Sequence, residues 1–247
     1  HLTEENDFMV LEGDEYLSSP IDRRPKFHLY QPNIALISGI AWDHINVFPT
    51  YENYVEQFEV FIGKITNGGI LVYNEDDAEV KRVSEAATNP IRKLPYSTPA
   101  YTVNDGVTLL ETPEGPMPIE VFGAHNLNNL AGAKWICQNM GVDEADFYEA
   151  IASFKGASKR LEKIAEGKGK VAYKDFAHSP SKVAATTKAV KEQYPNRTLV
   201  ACLELHTYSS LNAEFLKEYE GALEYADEAV VFYSPDAVKI KQLEEVT

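Results

Sequence analysis

Short apolar runs of strand length alternate with longer amphipathic stretches along most of this chain. NIALISGI at residues 33–40 is followed by the helical pattern YENYVEQFEVFIGKI at 51–65, by GGILVYNEDD at 68–77 and by the helix-like AEVKRVSEAA at 78–87. Parallel strands need a crossover long enough to hold a helix, so this order predicts βαβ units and a parallel sheet. The earlier run DFMVLE, at residues 7–12, predicts one more strand.

The pattern changes between residues 91 and 122, where short alternating pieces are separated by Asp105-Gly106 and Glu114-Gly115. An Asp-Gly pair between alternating segments is typical of a tight hairpin turn, so these pieces predict antiparallel hairpins at the edge of the same domain. Helices are predicted to follow at about residues 126–140 and 143–153.

The βαβ rhythm restarts after Phe154-Lys155-Gly156, so we predict a first domain over residues 1–153 and a second over 154–247. In the second domain we predict strands in KVAYKDF, RTLVACLEL and EAVVFY, and helices at about 180–193 and 212–225. The predicted fold class is α/β. We predict that the first domain has a mostly parallel sheet with a small antiparallel edge, and that the second is a Rossmann-like α/β C-terminal domain.

Composition restricts the class of function. The 247 residues are 44% hydrophobic, which is enough for real cores, and 23 basic against 38 acidic residues give a formal net charge of −15. This balance argues against nucleic-acid and membrane partners. The separated Cys137 and Cys202 predict buried free thiols, and together with the absence of a signal-peptide pattern or a long apolar run they favour the cytoplasm. The start without methionine predicts a fragment.

Polar clusters fall where predicted strands end, which is where ligands collect in open α/β sheets. The first is LEGDE at residues 11–15, and the second is Trp42-Asp43-His44. Each has a plain interpretation as a solvated turn or a cap. Carboxylate and imidazole side chains together are nevertheless what a divalent cation recruits.

The third cluster is GAHNLNN at residues 123–129. Capping of the following helix would explain Asn126, with Asn128 and Asn129 on the exposed face. An asparagine amide also offers a donor and an acceptor in one plane, which suits the edge of a purine ring. The small residues at 131–133 would allow the helix to pack closely.

Two more clusters lie in the second predicted domain. KRLE at residues 159–162 is either part of a surface helix or an arginine fork for a phosphate. KDFAHSP at residues 174–180 ends a strand and opens a helix, with Ser179 as its cap and Pro180 in the first helical position.

These five clusters, in this order, resemble the motifs of the Mur ligase family, whose members are ATP-dependent amide-forming enzymes of peptidoglycan synthesis. Folylpolyglutamate synthetases are related to that family. The resemblance covers nearly the whole chain and implies ATP and Mg²⁺ as cofactors, with Glu12 and His44 as magnesium ligands.

The resemblance also implies a nucleotide site. The motif at residues 123–129 would lie beside the adenine, Arg160 would reach the terminal phosphate, and Asp175 would hold the ribose. The implied nucleotide-binding residues are His125, Asn126, Asn129, Arg160, Asp175 and His178.

The implied reaction forms an acyl phosphate on UDP-N-acetylmuramate, which the amine of an amino acid or peptide then attacks. Catalysis would rest on positioning and charge neutralisation, with Arg160 and His44 as the catalytic residues. Closure about a hinge near residue 154 would bring Arg160 and Asp175 onto the nucleotide.

Two branches of the family compete. EGDEYLSSPIDRRPKF at residues 12–27 is most similar to murein peptide ligases, which attach a recycled tripeptide, and we favour that branch. LHTYS at residues 205–209 is similar to a segment of UDP-N-acetylmuramate:L-alanine ligases, although Thr207 and the following Ser210 stand where arginines are common.

No GxxxxGK(S/T) phosphate loop occurs in the sequence. This predicts a fragment that lacks the family's N-terminal domain and phosphate loop and is inactive alone. It also leaves open a nucleotide-binding or scaffolding module of the same fold without catalysis. A metal-dependent hydrolase using Glu12, Asp14 and His44 stays possible as well, as does a ligase for polyglutamate or another peptide.

Overall fold

The computed structural model describes residues 3–42 and 45–240, apart from the side chains of Ala237 and Ile240. The chain divides into two compact units. The first unit comprises His1–Ser97 and Leu130–Phe147, and the second comprises Thr98–Asn129 and Tyr148–Thr247. Because these units interleave along the chain, the domain limits 1–153 and 154–247 stay a prediction.

A parallel three-stranded sheet forms the centre of the first unit, as predicted. Its strands, in sheet order, are β1 (Ile34–Ile37), β2 (Ile70–Asn74) and β3 (Arg92–Tyr96). The crossover helices are α1 (Tyr51–Ile62) and α2 (Ala78–Ala86). Leu71 and Val72 of β2 are completely buried, as expected for the middle strand of a parallel sheet covered on both faces.

The two crossover helices begin at side-chain caps. The Thr50 hydroxyl accepts a hydrogen bond from the N–H of Asn53, and the Asp77 carboxylate accepts hydrogen bonds from the N–H groups of Glu79 and Val80. The buried side chains of α1 recur at helical spacing and form one face. That face packs in the core together with Phe27 and Phe48.

Two sequence predictions for the first unit need correction. The predicted strand at residues 7–12 is not formed, and Phe8–Leu11 side chains are 50–80% exposed, because no strand of the described residues pairs with them. Strand β3 was not predicted. Its Pro95 cannot donate to a ladder, which is tolerated because β3 ends the described sheet and pairs with β2 alone.

The second unit contains the predicted hairpins. The antiparallel strands are β4 (Tyr101–Asn104), β5 (Val107–Thr112) and β6 (Gly115–Ile119). Asp105 and Gly106 have φ values of 49° and 78°, so the turn between β4 and β5 has the left-handed backbone that the Asp-Gly pair predicts. Helices α3 (Ala124–Asn139) and α4 (Glu144–Ala152), each of which has residues in both units, confirm the helices predicted at 126–140 and 143–153.

The strands and α-helices that follow α4 lie in the second unit and are β7 (Glu162–Gly167), β8 (Lys170–Lys174), α5 (Pro180–Gln193), β9 (Val200–Leu205), β10 (Glu228–Tyr233) and α6 (Pro235–Ile240). β9 and β10 are parallel neighbours, and the mixture of parallel and antiparallel sheets confirms the α/β class. β8 pairs antiparallel with β7 instead of extending a βαβ unit, because the Lys168-Gly169 turn has positive φ and reverses the chain.

The helix predicted at residues 212–225 is wrong. Only Phe215–Tyr219 is helical there, as a 3-10 helix. The Asn212 side chain accepts hydrogen bonds from two following backbone N–H groups, and Gly221 adopts a φ of 79°. These local features interrupt a regular α-helix.

The described part of the chain contains no helix with the length and apolarity that crossing a bilayer requires. Cys137 is half-buried and Cys202 is exposed on β9. The expectation of two buried thiols is therefore wrong for Cys202.

Candidate functional site

All six predicted nucleotide-site residues lie in the second unit. The fold brings three of them, His125, Arg160 and Asp175, close to one another. Arg160 precedes β7 and Asp175 follows β8. Because the register pairs Glu162 with Lys174, Arg160 and Asp175 lie at the same end of the β7–β8 hairpin. His125, in the first turn of α3, lies close enough that the charges of both Asp175 and Arg160 act on its pKa.

The start of α3 depends on Gly123. Its φ is 88°, and a Cβ there would lie 2.4 Å from the Cβ of Ala189 and 3.1 Å from Cε1 of His125. Only glycine therefore allows the chain to enter α3 against α5. Asn126 does not serve as the predicted N-cap, because α3 already begins at Ala124.

The three asparagines of this motif have different surroundings. Nδ2 of Asn126 donates to the carbonyl of Phe122 at 2.9 Å. Asn128 is 7% exposed and donates to the Thr98 hydroxyl at 3.2 Å, so its predicted position on the exposed face is wrong. Asn129 is exposed, as predicted.

Burial lowers the pKa of His125. The Asp175 carboxylate raises this pKa and the Arg160 guanidinium lowers it, but burial is the largest effect. The imidazole is therefore neutral at neutral pH, with one nitrogen able to donate and the other able to accept a hydrogen bond.

Arg160 lies on a turn, so the interpretation of KRLE as part of a surface helix is wrong. Lys159 and Leu161, on either side of it, have φ values of 59° and 46°. The guanidinium is exposed, and its Cζ lies 5.7 Å from the ring centroid of Phe176. An exposed cation beside an aromatic ring is available to an anionic ligand.

The Asp175 carboxylate is held by backbone donors. One oxygen accepts from the N–H of Leu161 at 2.7 Å, and the other accepts from the N–H of Ala177 at 2.6 Å. The Thr186 hydroxyl lies 3.4 Å from the second oxygen. Sequence reasoning missed Thr186, since no local pattern links it to a carboxylate eleven residues earlier.

His178 lies in a group of rings. Its Nδ1 is 2.9 Å from the carbonyl oxygen of Phe176, and its ring centroid lies 5.0 Å from that of Phe176 and 5.8 Å from that of His206. Pro180 occupies the first position of α5, as predicted. Ser179 precedes it, but its side chain makes no capping hydrogen bond.

The predicted magnesium ligands are only partly described. Glu12 is exposed in a stretch without regular secondary structure, whereas Asp43 and His44 lie outside the described residues. No group of three or more His, Cys, Asp or Glu side chains suited to a metal occurs in residues 3–42 and 45–240. Mg²⁺ commonly uses one or two carboxylates together with substrate phosphates, so the Glu12 carboxylate fits such a role.

Asp14 has a structural role. Its carboxylate accepts a hydrogen bond from the N–H of Tyr16 at 2.8 Å and forms an ion pair with Lys26 at 2.5 Å. This pairing counts against a hydrolase in which Asp14 is a free metal ligand.

Comparison with known families gives the class of the protein. The Mur ligase middle domain matches residues 1–137, which is more than half of the chain. The chain therefore belongs to the Mur ligase family.

Individual relatives agree with this assignment. The chain is 28% identical over 237 residues to a UDP-N-acetylmuramate–L-alanine ligase of Caldicellulosiruptor bescii, covering 91% of this chain and 50% of the relative. It is 30% identical over 234 residues to the enzyme of the same name from Renibacterium salmoninarum, covering 90% and 49%. The chain thus spans about half the length of these relatives.

Solved structures share the fold. A UDP-N-acetylmuramate-alanine ligase from Thermotoga maritima has a TM-score of 0.61 at 18% identity, covering 87% of this chain and 49% of that one. A murein peptide ligase from Psychrobacter arcticus has a TM-score of 0.56 at 19% identity, covering 92% and 55%.

Proposed function

We propose that the full-length protein is an ATP-dependent ligase that joins an amine to the carboxylate of UDP-N-acetylmuramate. The observation that carries this proposal is the convergence of His125, Arg160 and Asp175 in one compact unit. These are the positions that the family resemblance assigns to the nucleotide. Membership of the Mur ligase family supports the reaction class, and the names of the relatives support the substrate.

The proposed reaction has two steps. A carboxylate oxygen of UDP-N-acetylmuramate attacks the terminal phosphorus of ATP, and the bond to ADP breaks. The resulting acyl phosphate has phosphate as its leaving group, whereas the free carboxylate would have to lose oxide. The amine nitrogen then attacks the acyl carbon, and the tetrahedral intermediate expels phosphate as the nitrogen loses a proton.

Charge neutralisation is the main demand of this route, because phosphoryl transfer needs little covalent help from the protein. Arg160 would meet the terminal phosphate from its turn beside Phe176. Glu12 and His44 would hold Mg²⁺, which neutralises further phosphate charge when bound.

The remaining residues would bind the rest of the nucleotide. Neutral His125, with Asn126 and Asn129, would face the adenine, and His178 would lie with them in the nucleotide site, where the family resemblance also implies a ribose contact for Asp175. This division follows the family resemblance, and an amide and a neutral imidazole both suit the donors and acceptors of a purine edge. We place the reaction in the cytoplasm, where ATP is available.

For the amine substrate we propose a recycled murein tripeptide. Residues 12–27 resemble the tripeptide-adding branch, and within them the Asp14–Lys26 ion pair and buried Phe27 hold the segment together. L-Alanine is the second candidate, since the relatives in Caldicellulosiruptor bescii and Renibacterium salmoninarum are named as L-alanine ligases.

Arg160→Ala in the full-length protein tests the site. We expect kcat for ATP-dependent phosphate release to fall by about 10²-fold or more, with a smaller change in the KM for ATP, because the guanidinium acts on charge that develops during transfer. Arg197→Ala is the matched control, since Arg197 lies in the same unit and stacks on Tyr194 instead. Near-normal turnover of Arg160→Ala would remove the arginine from the mechanism.

A further inference from the structure

We propose that Asp175 is a positioning residue for Arg160, and that its carboxylate holds the turn that presents the guanidinium. This inference rests on the proposed function, because the position of Arg160 affects catalysis only if this side chain meets the nucleotide. It gives Asp175 a role that differs from the ribose contact implied by the family resemblance.

The turn around Arg160 has an unfavourable backbone. Lys159 and Leu161 both carry a Cβ and both have left-handed φ values, 59° and 46°. Such a conformation is costly in residues other than glycine and persists only where the surroundings hold it in place. The Arg160 turn therefore needs external restraints.

Two carboxylates supply these restraints. The N–H of Lys159 donates to the Glu162 carboxylate at 2.8 Å, and the N–H of Leu161 donates to the Asp175 carboxylate at 2.7 Å. Each left-handed residue thus has its own backbone donor fixed by a charged acceptor. The Glu162 contact is local, whereas Asp175 lies fourteen residues from Leu161 and ties the turn to the end of β8.

Packing of the Leu161 side chain restrains this residue in addition to the hydrogen bond of its N–H group. The side chain is buried in a small cluster with Phe122 and Ala189. Leu161 is therefore fixed by packing and by the Asp175 hydrogen bond together, while the neighbouring Arg160 side chain stays exposed. The backbone is held and the guanidinium is free to meet a ligand, which is the arrangement expected of a positioned phosphate-binding arginine.

Asp175→Asn is a sharp test of this geometry. Both carboxylate oxygens accept from backbone N–H groups, so either orientation of the asparagine amide places an NH₂ group against one donor. In the full-length protein without nucleotide, we expect amide hydrogen exchange over residues 159–161 to become about tenfold faster or more. Asp146→Asn, an exposed aspartate on α4, is the matched control. Unchanged exchange at residues 159–161 in Asp175→Asn would overturn the proposal.

A double-variant cycle then separates positioning from a direct ribose contact. We expect Asp175→Asn to lower kcat, and adding it to Arg160→Ala to change kcat by less than about twofold further, because both changes remove one function. The preference for ATP over 2′-deoxy-ATP is expected to stay as in the wild type. Losses that multiply, or a lost preference for ATP, would overturn the proposal. Absence of phosphate release in every variant would refute the proposed function alone, and the exchange experiment would still decide the role of Asp175.

Discussion

Replacing Gln193 by leucine tests how the antiparallel sheet of the second unit is attached to α5. Gln193 ends α5 and is 5% exposed. Its Oε1 accepts a hydrogen bond from the fully buried Thr108 hydroxyl at 3.0 Å, and its Nε2 donates to the carbonyl of Gly106 at 2.5 Å. Leucine is similar in size but has no polar side-chain atom, so both partners would lose this hydrogen bond.

The expected cost follows from those two losses. A buried polar group without a partner costs about 1–3 kcal/mol, and the Gly106 carbonyl is only half-buried and adds less than the Thr108 hydroxyl, so Gln193→Leu is expected to lower the free energy of unfolding by about 2–4 kcal/mol. For a chain of this size each kcal/mol changes Tm by about 2–4 °C. The transition that includes α5 is therefore expected about 5–15 °C lower.

Thermal and urea unfolding followed by circular dichroism measure this change. Thr108→Val removes the other member of the hydrogen bond, and the double variant places two apolar side chains together. We expect the double variant to be more stable than the sum of the single losses by about 1 kcal/mol or more. Gln193→Leu within about 0.5 kcal/mol of the wild type would refute the reasoning.

Three further predictions concern stability. Asp77→Ala removes the carboxylate that caps α2 and is expected to cost about 1–2 kcal/mol in urea unfolding, whereas Asp77→Asn is expected to cost less. Gly132→Ala would place a Cβ 2.9 Å from Cζ of Tyr96 and is expected to cost about 1–3 kcal/mol in the free energy of unfolding. Gly167→Ala is the control, because a Cβ at Gly167 meets no atom within 4 Å. Equal effects of the two substitutions would contradict the close packing of Gly132 against Tyr96. The lowered pKa of His125 means that the unfolded chain takes up a proton near pH 6.5 before the folded protein does. The contribution of neutral His125 to stability is present above pH 6.5 and is lost as the pH falls from there through the lower pKa of the folded protein. His125→Gln is expected to reduce the dependence of the free energy of unfolding on pH in this range, as measured by urea denaturation. An unchanged pH dependence would contradict this prediction.

The parallel sheet of the first unit could be predicted because its local signals agree. β2 is a continuous apolar run, and α1 and α2 each start at a residue whose side chain caps the helix. Residues 7–12 have a similar apolar pattern but form no strand, because a strand also needs a neighbour and local sequence does not supply one. β3 was not predicted because it contains Pro95, which is tolerated in a strand at the edge of a sheet. Whether a strand lies at an edge is a property of the whole sheet and cannot be read from local sequence.

The candidate site was predictable only through the resemblance to a family. The proximity of Arg160 and Asp175 depends on the β7–β8 register. The position of His125 near them depends on the close approach of Gly123, just before α3, to Ala189 of α5. Neither is encoded in a short stretch of sequence. The left-handed turn around Arg160 was not predicted either, because neither Lys159 nor Leu161 is a residue type that favours positive φ.

The most direct test is phosphate release from ATP by the full-length protein with UDP-N-acetylmuramate and either the L-Ala-D-Glu-diaminopimelate tripeptide or L-alanine. The proposed function predicts release that requires UDP-N-acetylmuramate and the tripeptide. Release with L-alanine alone would keep the ligase and replace the proposed amine substrate. No release with either amine would contradict the proposal that this Mur ligase family member acts on UDP-N-acetylmuramate.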